Sequence, residues 1–424
     1  MRDFLPADKA RRERVLAIIR ERYRAHGFDE IETPVMEEHA RLHAGIGGDN
    51  EKLAYNVLKR GLDAAAVRAA ADDPDAPVDV AALTDLGLRY DLTVPLARFY
   101  ASHRGALPTV FRAIQIAPVW RAERPQKGRY RQFVQCDIDI IGDASARAEA
   151  ELVVATLDTL DALGLDGGTV RINDRRALDF MLDSFGFRAD ERPGVLITID
   201  KLDKIGPDGV VSELTERAAT PSAVDAFRAF LLRPQTLEYR PYGEGQIRKA
   251  LPDGAPADIV AHLVGIGEAV TAATGSAEVP LVFDPFLVRG MGYYTGTIFE
   301  LAHPSVDYSL GGGGRYDGMV GRFLGQDAPA VGFSIGFERI VDLVEEQADA
   351  ASSAVVLVHD RDVPAAELLA LKATLVAEGS RVRLEHRTKN LKGLLERAAA
   401  DGYTAFATVT TGATRTSLEI KPLS

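Results

Sequence analysis

The stretch FRAIQIAPVWRAERPQKGRYRQFVQCDIDIIG, residues 111–142, consists of two runs of alternating side chains around a loop that contains Pro125 and Gly128. A period of two is typical of a β-strand whose faces have different surroundings. A turn-forming loop between two such runs predicts a hairpin. The stretch therefore predicts a long-looped antiparallel hairpin.

The second run of this hairpin has an unusually polar face. A period of two puts Phe133, Gln135, Asp137 and Asp139 on one side and apolar residues on the other. A solvated face of an edge strand is the ordinary explanation. However, the preceding loop carries five basic side chains within eleven residues, in a chain of net charge -12. Guanidinium groups bind phosphate oxygens in a bidentate manner, and neighbouring carboxylates can hold an amino group, so the pattern favours a binding site.

The composition is that of an ordinary globular chain. With 424 residues it is long enough for two or three domains. A single cysteine, Cys136, excludes an internal disulfide and a Cys-cluster zinc site, which fits a reducing, cytoplasmic compartment. The N-terminus is a charged amphipathic pattern, and no apolar run approaches the ~20 residues that span a membrane. The acidic composition argues against indiscriminate nucleic-acid binding but leaves room for local basic patches.

Three regions differ in their patterns. The first 345 residues combine short alternating strands with few strand-helix-strand repeats, which predicts a mainly antiparallel sheet with helices packed on it. Within this region, helical stretches broken by GPDG, RPQ and LPDGAP, with little strand character after GVLITID, indicate an inserted helical module. After an Ala/Ser/acidic stretch, strands and helices alternate in the tail. The predicted α+β fold has a sheet domain at 1–186 and 276–345, a helical insertion at 187–275 and a small α/β domain at 353–424.

Four further segments contain residue types that are common in binding sites. They are LGLRYDLTVPLARFY (86–100), LVRGMGYYTGTIFE (287–300), SLGGGGRYDGMV (309–320) and PAVGFSIGFERIVDLVEE (329–346). Each has an ordinary explanation as well, because Tyr and Arg often pack at the edge of a core and glycines form tight turns. The glycine run fits neither a phosphate-binding Walker loop nor a dinucleotide fingerprint.

In order and spelling, these segments resemble the histidyl-tRNA synthetases, which are class II aminoacyl-tRNA synthetases. FDEIETPVMEE resembles class II motif 1, VWRAERPQKGRYRQF motif 2 and VGFSIGFERI motif 3. LVRGMGYYTGTIFE and GGGGRYDGMV resemble two signatures peculiar to the histidine enzymes, and RYDLTVP, INDRRALDFM and DKLDK match their eukaryotic-like branch. The resemblance covers nearly the whole chain. It implies a class II antiparallel sheet flanked by helices, with a helical insertion and an anticodon-binding-like C-terminal domain.

The resemblance also implies a role for individual residues. The implied ATP-binding residues are Arg121 at the α-phosphate, Glu123, Arg129, Phe133 under the adenine and Arg339 at the γ-phosphate. The implied histidine-binding residues are Asp91, Thr93 and Gln135 at the α-amino group, Asp139 and Tyr294 at the imidazole with Tyr293 nearby, and Arg289, which assists at the α-phosphate as the histidine carboxylate attacks. Of these, Arg121, Arg289 and Arg339 are the implied catalytic residues. Gln126 and Lys127 are the implied contacts to the tRNA acceptor end, and Pro34 is implied at a dimer interface.

The implied activity is that of a histidine–tRNA ligase. ATP with Mg²⁺ would activate L-histidine to histidyl-adenylate and pyrophosphate, and the histidyl group would pass to the 3′ end of tRNA(His). The resemblance further implies a cytoplasmic homodimer without a protein-held structural metal. Two departures from the family pattern stand out: Gly292 replaces the usual Asp beside the two tyrosines, and the C-terminal domain is expected to be shortened.

Alternatives from other classes follow from parts of the sequence. A synthetase-like histidine sensor, the regulatory subunit of ATP phosphoribosyltransferase, would share the core but typically lacks the ATP-binding arginines that are present here. Gly332-Phe333-Ser334-Ile335-Gly336 spells the nucleophile elbow of serine hydrolases, which belongs to a mostly parallel sheet. His39 and His43 have the i, i+4 spacing of metal ligands, but no third ligand has a suitable spacing.

Overall fold

The predicted hairpin is present in the computed structural model as two ten-residue strands, Phe111–Trp120 and Gln132–Ile141. They pair antiparallel from Phe111 opposite Ile141 to Trp120 opposite Gln132.

The structure describes residues 2–43, 53–71, 76–124, 130–233, 242–275, 279–289, 292–344 and 353–423. The described strands are β1 (Asp29–Glu30), β2 (Met36–Glu38), β3 (Tyr55–Leu58), β4 (Thr84–Leu88), β5 (Phe111–Trp120), β6 (Gln132–Ile141), β7 (Thr169–Asp174), β8 (Leu281–Phe283), β9 (Thr297–Ala302), β10 (Gly311–Arg315), β11 (Ala330–Gly336), β12 (Ala354–His359), β13 (Arg381–His386), β14 (Ala405–Val409) and β15 (Lys421–Pro422).

The described α-helices precede, separate or follow these strands along the chain, and six of them, α7 to α12, lie between β7 and β8. They are α1 (Pro6–Ala25), α2 (His39–His43), α3 (Ala64–Ala69), α4 (Val80–Leu83), α5 (Thr93–His103), α6 (Ala146–Ala162), α7 (Arg175–Phe185), α8 (Arg192–Ile199), α9 (Leu202–Glu216), α10 (Pro221–Leu231), α11 (Glu244–Ala250), α12 (Ala257–Thr274), α13 (Asp317–Leu324), α14 (Phe337–Leu343), α15 (Ala365–Ala377) and α16 (Leu391–Ala400). The chain divides into two compact units, one of Met1–Arg2 with Val15–Val344 and one of Asp3–Arg14 with Glu345–Ser424.

Eight strands of the first unit form one sheet in the order β1-β5-β6-β11-β10-β9-β7-β8. The β1–β5 and β7–β8 pairs at its two edges are parallel, and every pair between them is antiparallel. The prediction of a mainly antiparallel sheet with helices is confirmed. Beside it, β2, β4 and β3 form a small antiparallel sheet that follows the segment containing Pro34.

One face of the large sheet carries the main core. Cys136, Ile138 and Ile140 of β6 pack there with apolar side chains of α1, α6 and α12. Fully burying one such aliphatic side chain contributes about 1.5–3 kcal/mol relative to exposure. The opposite face of β6 is therefore left for the polar residues of the same strand.

A second core lies within the helical region. Helices α7 to α10 surround a cluster that includes Phe187 and Phe227, whereas α11 and α12 contribute to the main core. The segment GVLITID has the composition of a strand, and little strand character follows it in this region. In the structure it belongs to helix α8. Pro193 stands in its first turn, and Val195, Leu196 and Ile199 are buried on one helical face, so tertiary packing overrides the β-branched composition.

Helix α12 is, among the described residues, the one helix whose length and composition would allow it to cross a membrane. Its apolar residues Ile259, Leu263, Ile266 and Val270 are buried in the main core, and a core helix passes the same test of length and composition. The apolar character of α12 is thus accounted for by packing.

The second unit contains a four-stranded sheet in the order β13-β12-β14-β15. Apolar residues of β12 alternate between the side that carries α15, such as Leu357, and the side that carries α16, such as Val356. The last strand, β15, is short: Lys421 and Pro422 pair antiparallel with Phe406 and Ala405 of β14.

Candidate active site

The polar face of β6 is buried rather than solvated. Asp137 and Asp139 are 5% and 4% exposed, so the explanation of a solvated edge strand is wrong. The reason is that β6 lies inside the sheet, between β5 and β11, and that other parts of the first unit cover its polar face. Alternation along one strand predicts which residues share a face, but it does not predict what covers that face.

The sheet register places small residues next to these carboxylates. Asp137 and Asp139 lie opposite Ser334 and Gly332 of β11, which in turn lie opposite Gly312 and Gly314 of β10. Residues paired across neighbouring strands point to the same face. We call Gly312, Gly314 and Gly332 the glycine floor.

Each residue of the glycine floor leaves room for a predicted site residue. A Cβ atom at Gly312 would lie 2.8 Å from the guanidinium carbon of Arg289, and one at Gly314 would lie 2.9 Å from Cδ1 of Tyr294. At Gly332 it would overlap Oδ1 of Asp139. Any side chain at these positions would displace its neighbour.

Three buried carboxyl groups, Asp91, Asp137 and Asp139, lie close enough in the site to interact with one another. Burial raises the pKa of Asp91 to about 6. Burial, with a further contribution from Asp91, raises the pKa of Asp137 to about 7. Burial and the neighbouring Asp137 raise the pKa of Asp139 well above its ordinary value. A cation bound among these groups would relieve their mutual repulsion.

Two acceptor atoms in the site lack a hydrogen-bond donor within the described part of the chain. These atoms are Oδ2 of Asp91 and Oε1 of Gln135, and both are buried. The partner atoms are engaged, since Oδ1 of Asp91 accepts from the Val94 backbone and Nε2 of Gln135 donates to Asp137 Oδ2 at 3.2 Å. A buried acceptor without a donor costs roughly 1–3 kcal/mol, so both atoms point to a ligand that carries N–H groups.

Three tyrosines, Tyr293, Tyr294 and Tyr316, also line the site. The rings of Tyr293 and Tyr294 lie 4.8 Å apart, and the Tyr293 hydroxyl is 3.4 Å from that of Thr93. Tyr316, which was not predicted as a site residue, donates its hydroxyl to Oδ1 of Asp139 at 2.5 Å. This bond holds one oxygen of Asp139.

The three predicted arginines are held in different ways. Arg121 donates from Nε to the Tyr90 carbonyl at 3.0 Å, and its guanidinium lies 5.0 Å from the Phe133 ring. Arg289 donates to Glu300 Oε2 at 3.1 Å. Arg339, in the first turn of α14, donates to the Ser309 carbonyl.

The remaining predicted residues are more peripheral or are not described. The backbone carbonyl of Glu123 accepts from Arg131, and Pro34 is exposed beside β2. Arg129, Gln126 and Lys127 lie outside the described residues.

Two alternative interpretations of the sequence have structural explanations. Ser334 lies within β11 and donates to Asp137, whereas a nucleophile elbow requires a turn between a strand and a helix. The rings of His39 and His43 stack with centroids 4.0 Å apart, and the described residues contain no group of three side chains suited to a metal.

Comparisons with known proteins agree on one family. A family model described as histidyl-tRNA synthetase matches residues 77–340. A histidine–tRNA ligase of Leifsonia xyli subsp. xyli is 57% identical and covers 100% of this chain and 97% of its own length. A probable histidine–tRNA ligase of Tropheryma whipplei is 41% identical, with coverages of 96% and 93%.

Solved structures share the fold. The histidyl-tRNA synthetase of Nostoc sp. PCC 7120 has a TM-score of 0.76 at 24% identity and covers 100% of this chain and 93% of its own. A Bacillus halodurans C structure described as an ATP phosphoribosyltransferase regulatory subunit/histidyl-tRNA synthetase has a TM-score of 0.73 at 20% identity, with coverages of 98% and 97%.

Proposed function

The chain belongs to the histidyl-tRNA synthetase family, and on that basis we propose that it ligates L-histidine to tRNA(His) in two steps. In the first step ATP activates histidine to histidyl-adenylate, and in the second the histidyl group passes to the 3′ end of the tRNA. The observation that carries the proposal is the pair of buried acceptors without donors, Asp91 Oδ2 and Gln135 Oε1. They lie beside the buried carboxyl groups of Asp137 and Asp139, surroundings that suit the ammonium group of an amino acid.

The ammonium group would be bound by Asp91, Thr93 and Gln135. Its N–H groups would satisfy the two acceptors, and its charge would favour the ionised state of Asp91, whose pKa burial raises to about 6. Both effects strengthen in a buried site.

The imidazole ring would be read by Asp139 and Tyr294, with Tyr293 nearby. Tyr316 holds Oδ1 of Asp139, so Oδ2 is the oxygen that can accept from a ring N–H. A substrate side chain without this N–H would leave a buried carboxylate unpaired, which gives strong discrimination against isosteres.

Replacing Tyr316 by phenylalanine is expected to move the acidic limb of the pH profile of kcat/KM for histidine toward higher pH. The hydrogen bond from Tyr316 lowers the pKa of Asp139, against the effects of burial and Asp137, so its loss raises that pKa further. Asp139 then ionises only at higher pH, and the loss of activity relative to the unchanged protein should shrink as pH rises. The ratio of kcat/KM for the variant to kcat/KM for the unchanged protein is unaffected by the titration of histidine itself, because the substrate is the same in both measurements.

The control for this prediction is Tyr403→Phe, which changes a buried tyrosine of the second unit. Its pH profile should match that of the unchanged protein. An identical profile for Tyr316→Phe would contradict the assigned role of the Tyr316–Asp139 bond.

ATP would be bound with its adenine on Phe133, its α-phosphate at Arg121 and its γ-phosphate at Arg339. The cation–π contact of Arg121 with Phe133 supports their joint role, because it brings the base platform and a phosphate-binding guanidinium together. Glu123 and Arg129 would contact the nucleotide as well. Mg²⁺ would enter with ATP, since this ion is held mainly by phosphates together with one or two carboxylates.

The first step needs no side-chain nucleophile. A carboxylate oxygen of histidine attacks the α-phosphorus, a new P–O bond forms, and the bond to pyrophosphate breaks. Arg121 and Arg289 stabilise the charge that builds on the α-phosphate oxygens. In the second step a hydroxyl of the terminal tRNA ribose attacks the histidyl carbonyl carbon and AMP leaves. Catalysis is thus positioning combined with electrostatic stabilisation.

The proposed partners extend beyond the pocket. Gln126 and Lys127 would contact the tRNA acceptor end, and the second unit would approach the anticodon. A homodimer through the Pro34 segment is supported by the exposed apolar side chains of Val35 and Met36. A cytoplasmic location is proposed from the family.

Amino-acid-dependent ATP–pyrophosphate exchange tests the proposed function. Histidine should support exchange, while the other common amino acids should not. Binding of histidine without any exchange would favour a histidine sensor instead, and exchange with a different amino acid would overturn the assigned specificity.

A further inference from the structure

A row of residues crosses the sheet next to the predicted catalytic arginine. Ser334 of β11 lies opposite Gly312 of β10, Gly312 opposite Glu300 of β9, and Glu300 opposite Arg171 of β7. Paired residues on neighbouring strands share a face, so all four point to the side of the site. The guanidinium group of Arg289 lies where a side chain at position 312 would begin.

Glu300 contacts two guanidinium groups with its two oxygens. Its Oε2 accepts from Arg289 Nη1 at 3.1 Å, and its Oε1 accepts from Arg171 Nη1 at 2.9 Å. The three side chains are 20–28% exposed. Charge-assisted bonds in such partly buried surroundings are stronger than exposed ones.

Arg171 is itself anchored on its other side. It donates from Nε to Asp284 Oδ2 at 2.9 Å and from Nη1 to Asp203 at 3.1 Å. Asp284 is buried after β8, whereas the Asp203 side chain is 73% exposed in the first turn of α9. Burial would lower the pKa of Arg171, but Asp284, Asp203 and Glu300 together raise it above its ordinary value, so its charge is permanent.

We propose that Glu300, held in place by Arg171, is a positioning residue that aims the guanidinium of Arg289 at the α-phosphate. This inference rests on the proposed function, in which Arg289 stabilises the charge on that phosphate. A free arginine side chain has about 2 kcal/mol of rotamer entropy, and a carboxylate fixed on the sheet removes much of it before the substrates bind. Gly312 leaves space for the guanidinium group of Arg289, and the hydrogen bond to Glu300 orients that group.

The experiment compares three variants of the full chain in histidine-dependent exchange. Glu300→Ala removes the acceptor, and Glu300→Gln keeps an oxygen for Arg289 Nη1. Asp203→Ala is the matched control, because it removes a carboxylate from the same Arg171 without touching Glu300 or Arg289. Thermal unfolding of each variant is measured in parallel.

For Glu300→Ala we expect kcat to fall about 10- to 100-fold, since a misaligned catalytic group costs on that order. The KM values for histidine and ATP should stay within about threefold, because the group acts in the transition state. Glu300→Gln should recover at least about threefold of the lost kcat, and Asp203→Ala should stay within about twofold of the unchanged protein.

Other outcomes would overturn the inference. They are a kcat for Glu300→Ala within twofold of the unchanged protein, a similar loss for Asp203→Ala, or a Gln variant no better than the Ala variant. If the unchanged protein itself failed to catalyse exchange with histidine, the proposed function would fall, and the positioning role with it.

Discussion

Replacing Arg289 by alanine is expected to lower histidine-dependent ATP–pyrophosphate exchange at least about 100-fold, in line with the loss of one preorganised donor to a developing oxyanion. The guanidinium of Arg289 is fixed over Gly312 by its bond to Glu300. Charge grows on the α-phosphate as the histidine carboxylate attacks, and the loss should therefore fall on kcat. Exchange kinetics over a range of histidine and ATP concentrations measure it.

A matched control is available for this prediction. Arg112 pairs with Glu151 and has the same exposed side-chain fraction as Arg289, 27%, but it lies on β5 outside the site. Arg112→Ala should keep exchange within about twofold, because Arg112 pairs with Glu151 of α6 and neither residue is assigned to the site. Both variants should retain the oligomeric state of the unchanged protein. Persistent exchange in Arg289→Ala would show that its assigned catalytic role is wrong.

Replacing Gly332 by alanine is expected to reduce kcat/KM for histidine about 100-fold while leaving the KM for ATP nearly unchanged. The new methyl group would overlap Oδ1 of Asp139 and would lie 3.3 Å from Cε1 of Tyr316. The carboxylate that reads the imidazole must then move, which leaves a ring N–H without its charged acceptor at a cost of about 3 kcal/mol. Overpacking at a buried site also costs roughly 1–3 kcal/mol of unfolding free energy.

The control for Gly332→Ala is Gly318→Ala in α13, where a Cβ atom would meet no other atom within 4 Å. This variant should keep the KM for histidine and should be at least as stable, since alanine favours a helix over glycine. Urea unfolding of both variants separates a loss of stability from a loss of substrate recognition. An unchanged KM for histidine in Gly332→Ala would mean that Asp139 is not positioned by the glycine floor.

The sequence predicted the hairpin, the mainly antiparallel sheet and the polar face of β6, since alternation along a strand is a local property. It did not predict the hydrogen bond from Tyr316 to Asp139, which joins residues 177 positions apart. Glu300 and Arg171 were missed for the same reason, because their pairing depends on the register between β7 and β9. Alternation made Asp137 equivalent to its neighbours, whereas in the structure its carboxyl group accepts hydrogen bonds from both Ser334 and Gln135.

The helix at GVLITID shows a different limit. Its composition favours a strand, but the burial of Val195, Leu196 and Ile199 follows a helical spacing against the second core. That core consists of residues from helices α7 to α10 and the segments joining them, from the segment before β9 and from β9 itself, so no local window of sequence contains the information. The domain boundaries at 187 and 275 remain predictions.

The three buried carboxyl groups that are proposed to recognise the substrate also affect the stability of the fold. A carboxyl group whose pKa is raised in the folded state, to about 6 for Asp91 and about 7 for Asp137, binds protons more readily when folded than when unfolded. Their contribution to stability therefore declines as pH rises from about 4 to about 7. Near neutral pH these carboxyl groups lower the stability of the fold, so an amino acid bound among them should also protect the chain from unfolding.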